Sequence, residues 1–554
     1  MRDQQEWFSK AGFGIFIHFG LYSLMGGNEN NYQEMDPGSY RNRLLPQFNP
    51  ERFDAAEWAA RIKESGARYA VITTKHGEGF CLWHTRTTDF HIGNTPFQRD
   101  LIRELADAVR NAGLRFGIYF AADNWYYRES GRYDQTAEAY TAFVSAQLEE
   151  LTADYGRTDL LWLDGFSDHL PPDQLKNILD ACGRRQPSLV VNDRGVNQDA
   201  YGGHLGDFIT PERFFPEKYD TEQGSGKIEI CDAMGLKGWG YHNDQHFHTS
   251  PELIYRLCLS RSMGANYLLN VEPQPGGIIR KECTDRLADI GRWLEKSGDT
   301  VFGVQPGNAL VYEVYENQRF HLGCTTRKDD TVYVHLARWP RGDRIILGGL
   351  TGNVKSVRIS PRGPFLPAVK TDSGAEIRSI PSFPDSTNPV LEVLFSAPPQ
   401  IDNVYALPRP VIRVEPELPT WISGESAELI PALGETTWHC HKTYMNGART
   451  AGRWVRTGLS IEWKLAVEKG GKYRIIAYLG TTEDQADAVG EFTAGGERVT
   501  FVTRATGDYT EPRGLDAGVI RLDPGEVSLR LASVKMKRFF PDVHHLILVP
   551  SNSR

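Results

Sequence analysis

The sequence is short of the features that mark several large classes of protein. No apolar run is long enough to cross a bilayer as a helix, which excludes an integral α-helical membrane protein. Basic residues do not exceed acidic ones, 62 against 71, and the net charge is −9. The basic surface that nucleic-acid binding uses is therefore not advertised. Cysteine is scarce: there are seven, scattered at 81, 182, 231, 258, 283, 324 and 440, with no CxxC and no tight Cys–His cluster. A structural zinc site is not expected, and the odd count argues against a complete disulfide framework. Reduced, mostly buried thiols are the expectation. The start, MRDQQEWFSK, lacks the apolar core of a signal peptide. That points to a cytoplasmic setting, or to the periplasm or exterior if a leader has been removed. GxSxG and HExxH are both missing, which sets aside a serine-elbow hydrolase and a zincin. No metal and no cofactor are expected.

What is present is ordinary for a globular chain: 554 residues, 40% hydrophobic and 24% charged. Aromatics reach 11%, with 12 Trp and 23 Tyr. Such side chains serve equally as buried core or as platforms for sugar rings.

The chain changes character once. Up to about residue 305, apolar strand-like runs alternate with amphipathic helical stretches. The runs are FGIFIHFG at 13–20, RYAVITTKH at 68–76, LRFGIYFAA at 114–122, TDLLWLDG at 158–165, SLVVNDRG at 188–195, GDFITPE at 206–212, KIEICDA at 227–233 and ANYLLNVEP at 265–273. Between the third and fourth lies a long helical stretch with Tyr140, Phe143, Val144, Leu148 and Leu151 on one face. Alternation with continuous apolar strands predicts a parallel sheet covered by helices. Eight strands fit a (β/α)8-like TIM barrel. An open nucleotide-binding sheet would want a Gly-rich phosphate loop after the first strand, and IHFGLYSLMGG is not one.

Beyond the barrel, short β-rich runs punctuated by Pro and Gly predict all-β architecture. The expected division is a catalytic barrel over 1–305, a small antiparallel β-sandwich over 306–408, and a second β-sandwich over 415–554. The Pro-rich run RPVIRVEPELP at 409–419 reads as a linker. Trp421, Trp438, Trp454 and Trp463 make the last module a candidate for carbohydrate binding, with core packing equally open to each.

In a barrel, catalytic groups gather at the C-terminal ends of the strands. His18, Lys75 with His76, Tyr119, Asp164, Arg194, Glu212 and Asn270 fall there, with Glu229 in the same region. Asp164 follows the apolar run LLWL, where a carboxylate is costly unless used or paired. Paired carboxylates with His, Arg and aromatics in one pocket point to glycoside hydrolysis. Trp162 and Trp239 are candidates to stack an apolar sugar face. His242, His246 and His248 read as a solvated or substrate-lining loop rather than a metal site.

The first 300 or so residues resemble the α-L-fucosidases of glycoside hydrolase family 29. FGIFIHFGLYS, YAVITTKHGEGFCLW, RDLIRELADAVRNAGLRFGIYF, LLWLDG, VVNDRG, GDFITPE and the GWGY–NYLLN stretch match in order. The resemblance implies a barrel followed by a β-sandwich, and retention of configuration through a covalent glycosyl-enzyme. It implies Asp164 as nucleophile, with Trp162 in the pocket. It implies that Arg194 supports the nucleophile and the sugar, and that His18 and His76 bind sugar hydroxyls. Tyr119 matches a pocket aromatic, with Phe120 as its rival. Glu212 is the implied acid/base and Glu229 the alternative. The implied partner is a fucosylated or related oligosaccharide or glycoconjugate.

Three departures stand out. KHGEGF replaces the family's KHHDGF, so Gly77 lacks an imidazole and Glu78 lengthens an acidic arm. HWG has become HFG at Phe19. Asn30-Asn31-Tyr32 stands where the family has Glu-Trp-Tyr. These changes predict room beside Gly77 and admit a related α-L-sugar such as L-galactose. A non-catalytic carbohydrate-binding barrel is the alternative from another class.

Overall fold

The computed structural model describes residues 6–165, 170–194, 206–213, 215, 228–315, 318–371, 374–381, 388–401, 411–430, 441–445, 448–452, 457–507, 512–537 and 540–551. The chain divides into two compact units, the first over 1–214 and 220–305 and the second over 306–554 with the short stretch 215–219.

The first unit is built on seven strands: β1 Phe13–Ile17, β2 Tyr69–Lys75, β3 Arg115–Ala121, β4 Leu160–Asp164, β5 Val190–Val191, β6 Glu229–Ala233 and β7 Asn266–Val271. They pair in the order β5-β4-β3-β2-β1-β7-β6, and every pairing is parallel. The eighth expected run, 206–212, forms no continuous strand. It links the two edges through single parallel bridges, Asn192 to Phe208, Ile209 to Ile228 and Glu212 to Cys231. Pro211 has no N–H to give, which interrupts the ladder where the strand was expected. The seven strands thus form a curled parallel sheet, the barrel-like α/β fold expected from the sequence, with isolated bridges in place of an eighth strand.

Burial on both faces explains the continuous apolar strands: every residue of β1, β2 and β7 is buried. The interior is filled by aromatic side chains, among them Phe16, Tyr69, Tyr119 and Trp162. Gly14 makes this packing possible, because a Cβ there would lie 2.3 Å from the Tyr69 ring.

Nine helices are described: α1 Glu6–Ala11, α2 Pro37–Leu44, α3 Ala55–Glu64, α4 Leu101–Asn111, α5 Trp125–Glu129, α6 Ala137–Ala153, α7 Pro172–Arg185, α8 Ser250–Ser262 and α9 Lys281–Ser297. Their starts follow from the sequence. Asp54, Asp100 and Thr136 each accept a hydrogen bond from an otherwise orphaned backbone N–H of the first turn. Thr249 with Glu252 forms a reciprocal capping box. In α6, Tyr140, Val144, Leu148 and Leu151 are buried on the predicted face, and Phe143 is half-buried. No helix among the described residues is long and apolar enough to cross a membrane.

The second unit is all-β. A ten-stranded sheet runs from Gln305–Pro306 to Val390–Phe395 around a core that includes Val311, Leu322, Val334 and Leu391. Two six-stranded sheets follow, with their own core around Trp463, Ile475, Leu529 and Leu546. The linker expectation for 409–419 is corrected in part. Val411–Val414 is a strand, paired in parallel with Lys464–Val467. Ile412 and Val414 are buried on one face with exposed Arg413 between them, which suits a half-buried strand, and the prolines nearest in sequence flank it. Trp463 belongs to the core, Trp421 is 37% exposed, and Trp438 and Trp454 lie outside the described residues.

Candidate active site

At the C-terminal end of the barrel strands lies a cavity of about 550 Å³, well within the range of small-ligand sites. Of the nine residues singled out from the sequence as catalytic or substrate-binding, eight line it: His18, His76, Tyr119, Trp162, Asp164, Arg194, Glu212 and Trp239. Glu229 does not.

Asp164 closes β4 and is held from two sides. Tyr119 Oη donates to its Oδ2 at 2.9 Å, and Arg194 Nη1 donates to its Oδ1 at 3.2 Å. The same Nη1 lies 3.1 Å from Glu212 Oε2. Arg194 is itself fixed by Thr210, through Nε to the hydroxyl and Nη2 to the carbonyl, both at 3.0 Å. Its guanidinium sits 4.8 Å from the centre of the Trp162 ring. Glu212 Oε1 accepts from Trp239 Nε1 at 3.1 Å. One arginine therefore bridges two carboxylates that are far apart in sequence.

The two histidines are shifted in opposite directions. Burial first, then the neighbouring His76, lowers the His18 pKa to about 3, so His18 is a neutral imidazole. Its Nδ1 lies 2.7 Å from Asn270 Oδ1, while Asn270 Nδ2 donates to the Trp239 carbonyl at 2.7 Å. That amide orientation puts the His18 proton on Nδ1 and leaves Nε2 as an acceptor. For His76, burial pulls the pKa down, but Glu78, with Glu29 and Asp164, more than reverses it, and the net shift is upward. Glu78 Oε2 stands 3.5 Å from His76 Nδ1. The longer acidic arm at 78 thus turns beneath His76 and is buried.

Strand alternation settles the neighbours. Lys75 points away from the cavity, donates to Gln147 Oε1 at 3.1 Å and sits 3.8 Å above the Phe120 ring. Burial lowers its pKa to about 8. Phe120 faces outward with it, and Tyr119, the favoured of the two aromatics, faces the cavity. Glu229 begins β6, at the opposite end of the barrel interior from the rim. It is fully buried, accepts from Tyr69 Oη, and accepts from Trp162 Nε1 at 3.0 Å. Burial pushes its pKa up to about 7.

Three charged residues of the cavity wall escaped the sequence reading. Glu29 is buried, and its Oε2 accepts from the backbone N–H groups of Trp239 at 2.8 Å and Gly240 at 3.2 Å. Burial opposes its charge, but the Trp239 amide, its own backbone amide and the two histidines outweigh that and lower its pKa. Asp123 is clamped by Arg128 through two bonds of 2.9 and 3.1 Å. Arg213 lies 4.8 Å from the Trp239 ring centre and donates to the Gly238 carbonyl. The NENNY run offered one signal, a lone carboxylate among amides just past the first strand.

The room expected beside Gly77 is not there. A Cβ at residue 77 would lie 2.5 Å from Tyr32 Oη, so the tyrosine already fills that space. His242, with Asp244 at 2.5 Å, and His248, with Glu252 at 3.7 Å, face acidic neighbours and do not line the cavity. Among the described residues no three metal-capable side chains converge.

A barrel rim that presents two carboxylates, two imidazoles and stacked aromatics defines the class of glycoside-cleaving barrels. Comparison with known proteins narrows this. The α-L-fucosidase family model matches residues 1–299. The tissue α-L-fucosidase of Rattus norvegicus is 27% identical over 423 residues, covering 70% of this chain and 88% of that one. A Bacteroides thetaiotaomicron α-L-fucosidase, solved as a trapped covalent intermediate with 2-fluoro-fucosyl fluoride, is 26% identical with a TM-score of 0.61, over 71% of this chain and 96% of that one. The α-L-fucosidase of Vibrio sp. strain EJY3 covers 100% of this chain and 99% of its own at 19% identity and a TM-score of 0.68, a likeness of fold alone. The chain belongs to the α-L-fucosidase family of glycoside hydrolases.

Proposed function

We propose that this protein is a retaining exo-α-L-fucosidase that removes terminal α-L-fucose from an oligosaccharide or glycoconjugate. The observation that carries the reading is the shared donor: Asp164 Oδ1 and Glu212 Oε2 lie 3.2 and 3.1 Å from the one nitrogen Arg194 Nη1. Carboxylates tied to one nitrogen favour the closer spacing of a double displacement, about 5–5.5 Å. The wider spacing, about 6.5–9.5 Å, leaves room for a water between them.

Asp164 attacks the anomeric carbon while Glu212 gives a proton to the departing oxygen. Glu212 then takes a proton from water, the water oxygen bonds to the anomeric carbon, and Asp164 is released. Tyr119 and Arg194 aim the nucleophile. His18 accepts from a sugar hydroxyl and His76 donates to one. Trp162 and Trp239 supply apolar surface for the ring. Glu229 is the lesser candidate for acid/base, because both its oxygens are engaged outside the cavity. The division of the second unit into modules 306–408 and 415–554, with exposed Trp421 as a sugar platform, belongs to the same proposal.

Turnover of a panel of aryl α-L-glycosides, with fucoside and L-galactoside side by side, tests it. Asp164→Ala is expected to abolish hydrolysis and azide to restore part of it. Glu212→Ala is expected to spare substrates with good leaving groups far more than natural glycosides. Wild-type rates in the Asp164→Ala variant, or equal losses on all leaving groups for Glu212→Ala, would overturn the assignments.

A further inference from the structure

Gly77 and Tyr32 are fitted to one another. Tyr32 is 3% exposed and lines the cavity, as does Gly77. The backbone of Gly77 is not in the left-handed region, so conformation does not demand glycine there. What excludes a side chain is the Tyr32 hydroxyl, 2.5 Å from the place of a Cβ; the next ring atom, Cζ, is 3.5 Å away. The ring is braced from behind by Trp125, with centroids 5.1 Å apart, and by Tyr40 at 6.3 Å. The hydroxyl itself is hardly engaged. Its one bond is a 3.5 Å contact from Gln33 Nε2, which leaves the phenolic proton without an acceptor among the described residues. Burial holds the phenol in its neutral, donating form.

A braced ring that delivers an unspent O–H to a sugar-sized cavity is built for recognition. We infer that Tyr32 is a specificity-determining residue: its hydroxyl, reaching across the cavity into the space over Gly77, hydrogen-bonds one ring hydroxyl of the bound sugar and bars sugars that carry a substituent at that position. This rests on the glycosidase reading of the cavity. The residue acts in binding and takes no part in bond cleavage.

The test compares Tyr32→Phe with the wild type on an aryl α-L-fucoside and on its 2-deoxy, 3-deoxy and 4-deoxy analogues. Removing one partner of a buried hydroxyl contact is expected to cut kcat/KM on the parent about 10–100-fold. On one of the three deoxy sugars the two enzymes are expected to match, because the partner hydroxyl is gone. Parity on the parent sugar, or the same loss on every analogue, would overturn the inference. Absence of wild-type turnover on the parent would instead count against the fucosidase reading. A second arm holds even if Tyr32→Phe loosens the fold. Gly77→Ala is expected to impair the wild type strongly but the Tyr32→Phe background little, since the clashing oxygen is then absent. Equal effects in both backgrounds would show that the hydroxyl does not occupy that space.

Discussion

One nitrogen, Arg194 Nη1, bridges Asp164 and Glu212, and the pKa values of the two cavity imidazoles are shifted in opposite directions. His18 is kept neutral by burial. Burial pulls the His76 pKa down, but Glu78 more than reverses this and the net shift is upward. That shift has a testable consequence. Glu78→Gln removes the largest of the influences that favour the imidazolium, so the His76 pKa falls. The alkaline limb of the kcat/KM profile is expected to move to lower pH, with the rate at low pH preserved. An unmoved limb would mean that His76 works as a neutral ring. At this scale the residues that end apolar runs were legible, because strand ends on one barrel face converge. Glu29 was not, because its partner Trp239 lies 210 positions away along the chain. The Tyr32 hydroxyl over Gly77 was also hidden, since nothing local to either residue reports their meeting.

At the scale of elements, the barrel interior is held by a contact that joins three strands. Glu229 on β6 accepts from Tyr69 on β2 and Trp162 on β4. Its pKa of about 7 in the folded protein stands above the ordinary 4.5, so the folded state binds this proton more tightly than the unfolded chain. The stabilisation is complete below about pH 4.5 and is lost as pH rises through about 7, on the order of a few kcal/mol. Glu229→Gln cannot titrate. Melting curves are therefore expected to show the wild type losing stability relative to the variant across that range. Parallel behaviour of the two proteins would contradict a neutral, buried Glu229. The strands themselves were readable from their unbroken apolar runs. Two elements were not: the eighth barrel position, which Pro211 reduces to single bridges, and Val411–Val414, whose flanking prolines disguised a strand.

At the scale of the molecule, the scarcity of cysteine fits what is seen, since the six described cysteines are buried and none of them is in a disulfide. The first unit has an aromatic-filled interior, the second has two apolar cores, and the cavity lies in the first. In the proposed mechanism one bond is decisive, formed transiently between Asp164 and the anomeric carbon. The most direct measurement is to incubate the enzyme with 2-fluoro-fucosyl fluoride and map the adduct by mass spectrometry of the digested protein. A single added 2-fluoro-fucosyl group on the peptide that contains Asp164, absent from the Asp164→Ala variant, is the predicted result. An adduct on another carboxylate, or none from an enzyme that turns over α-L-fucosides, would contradict it.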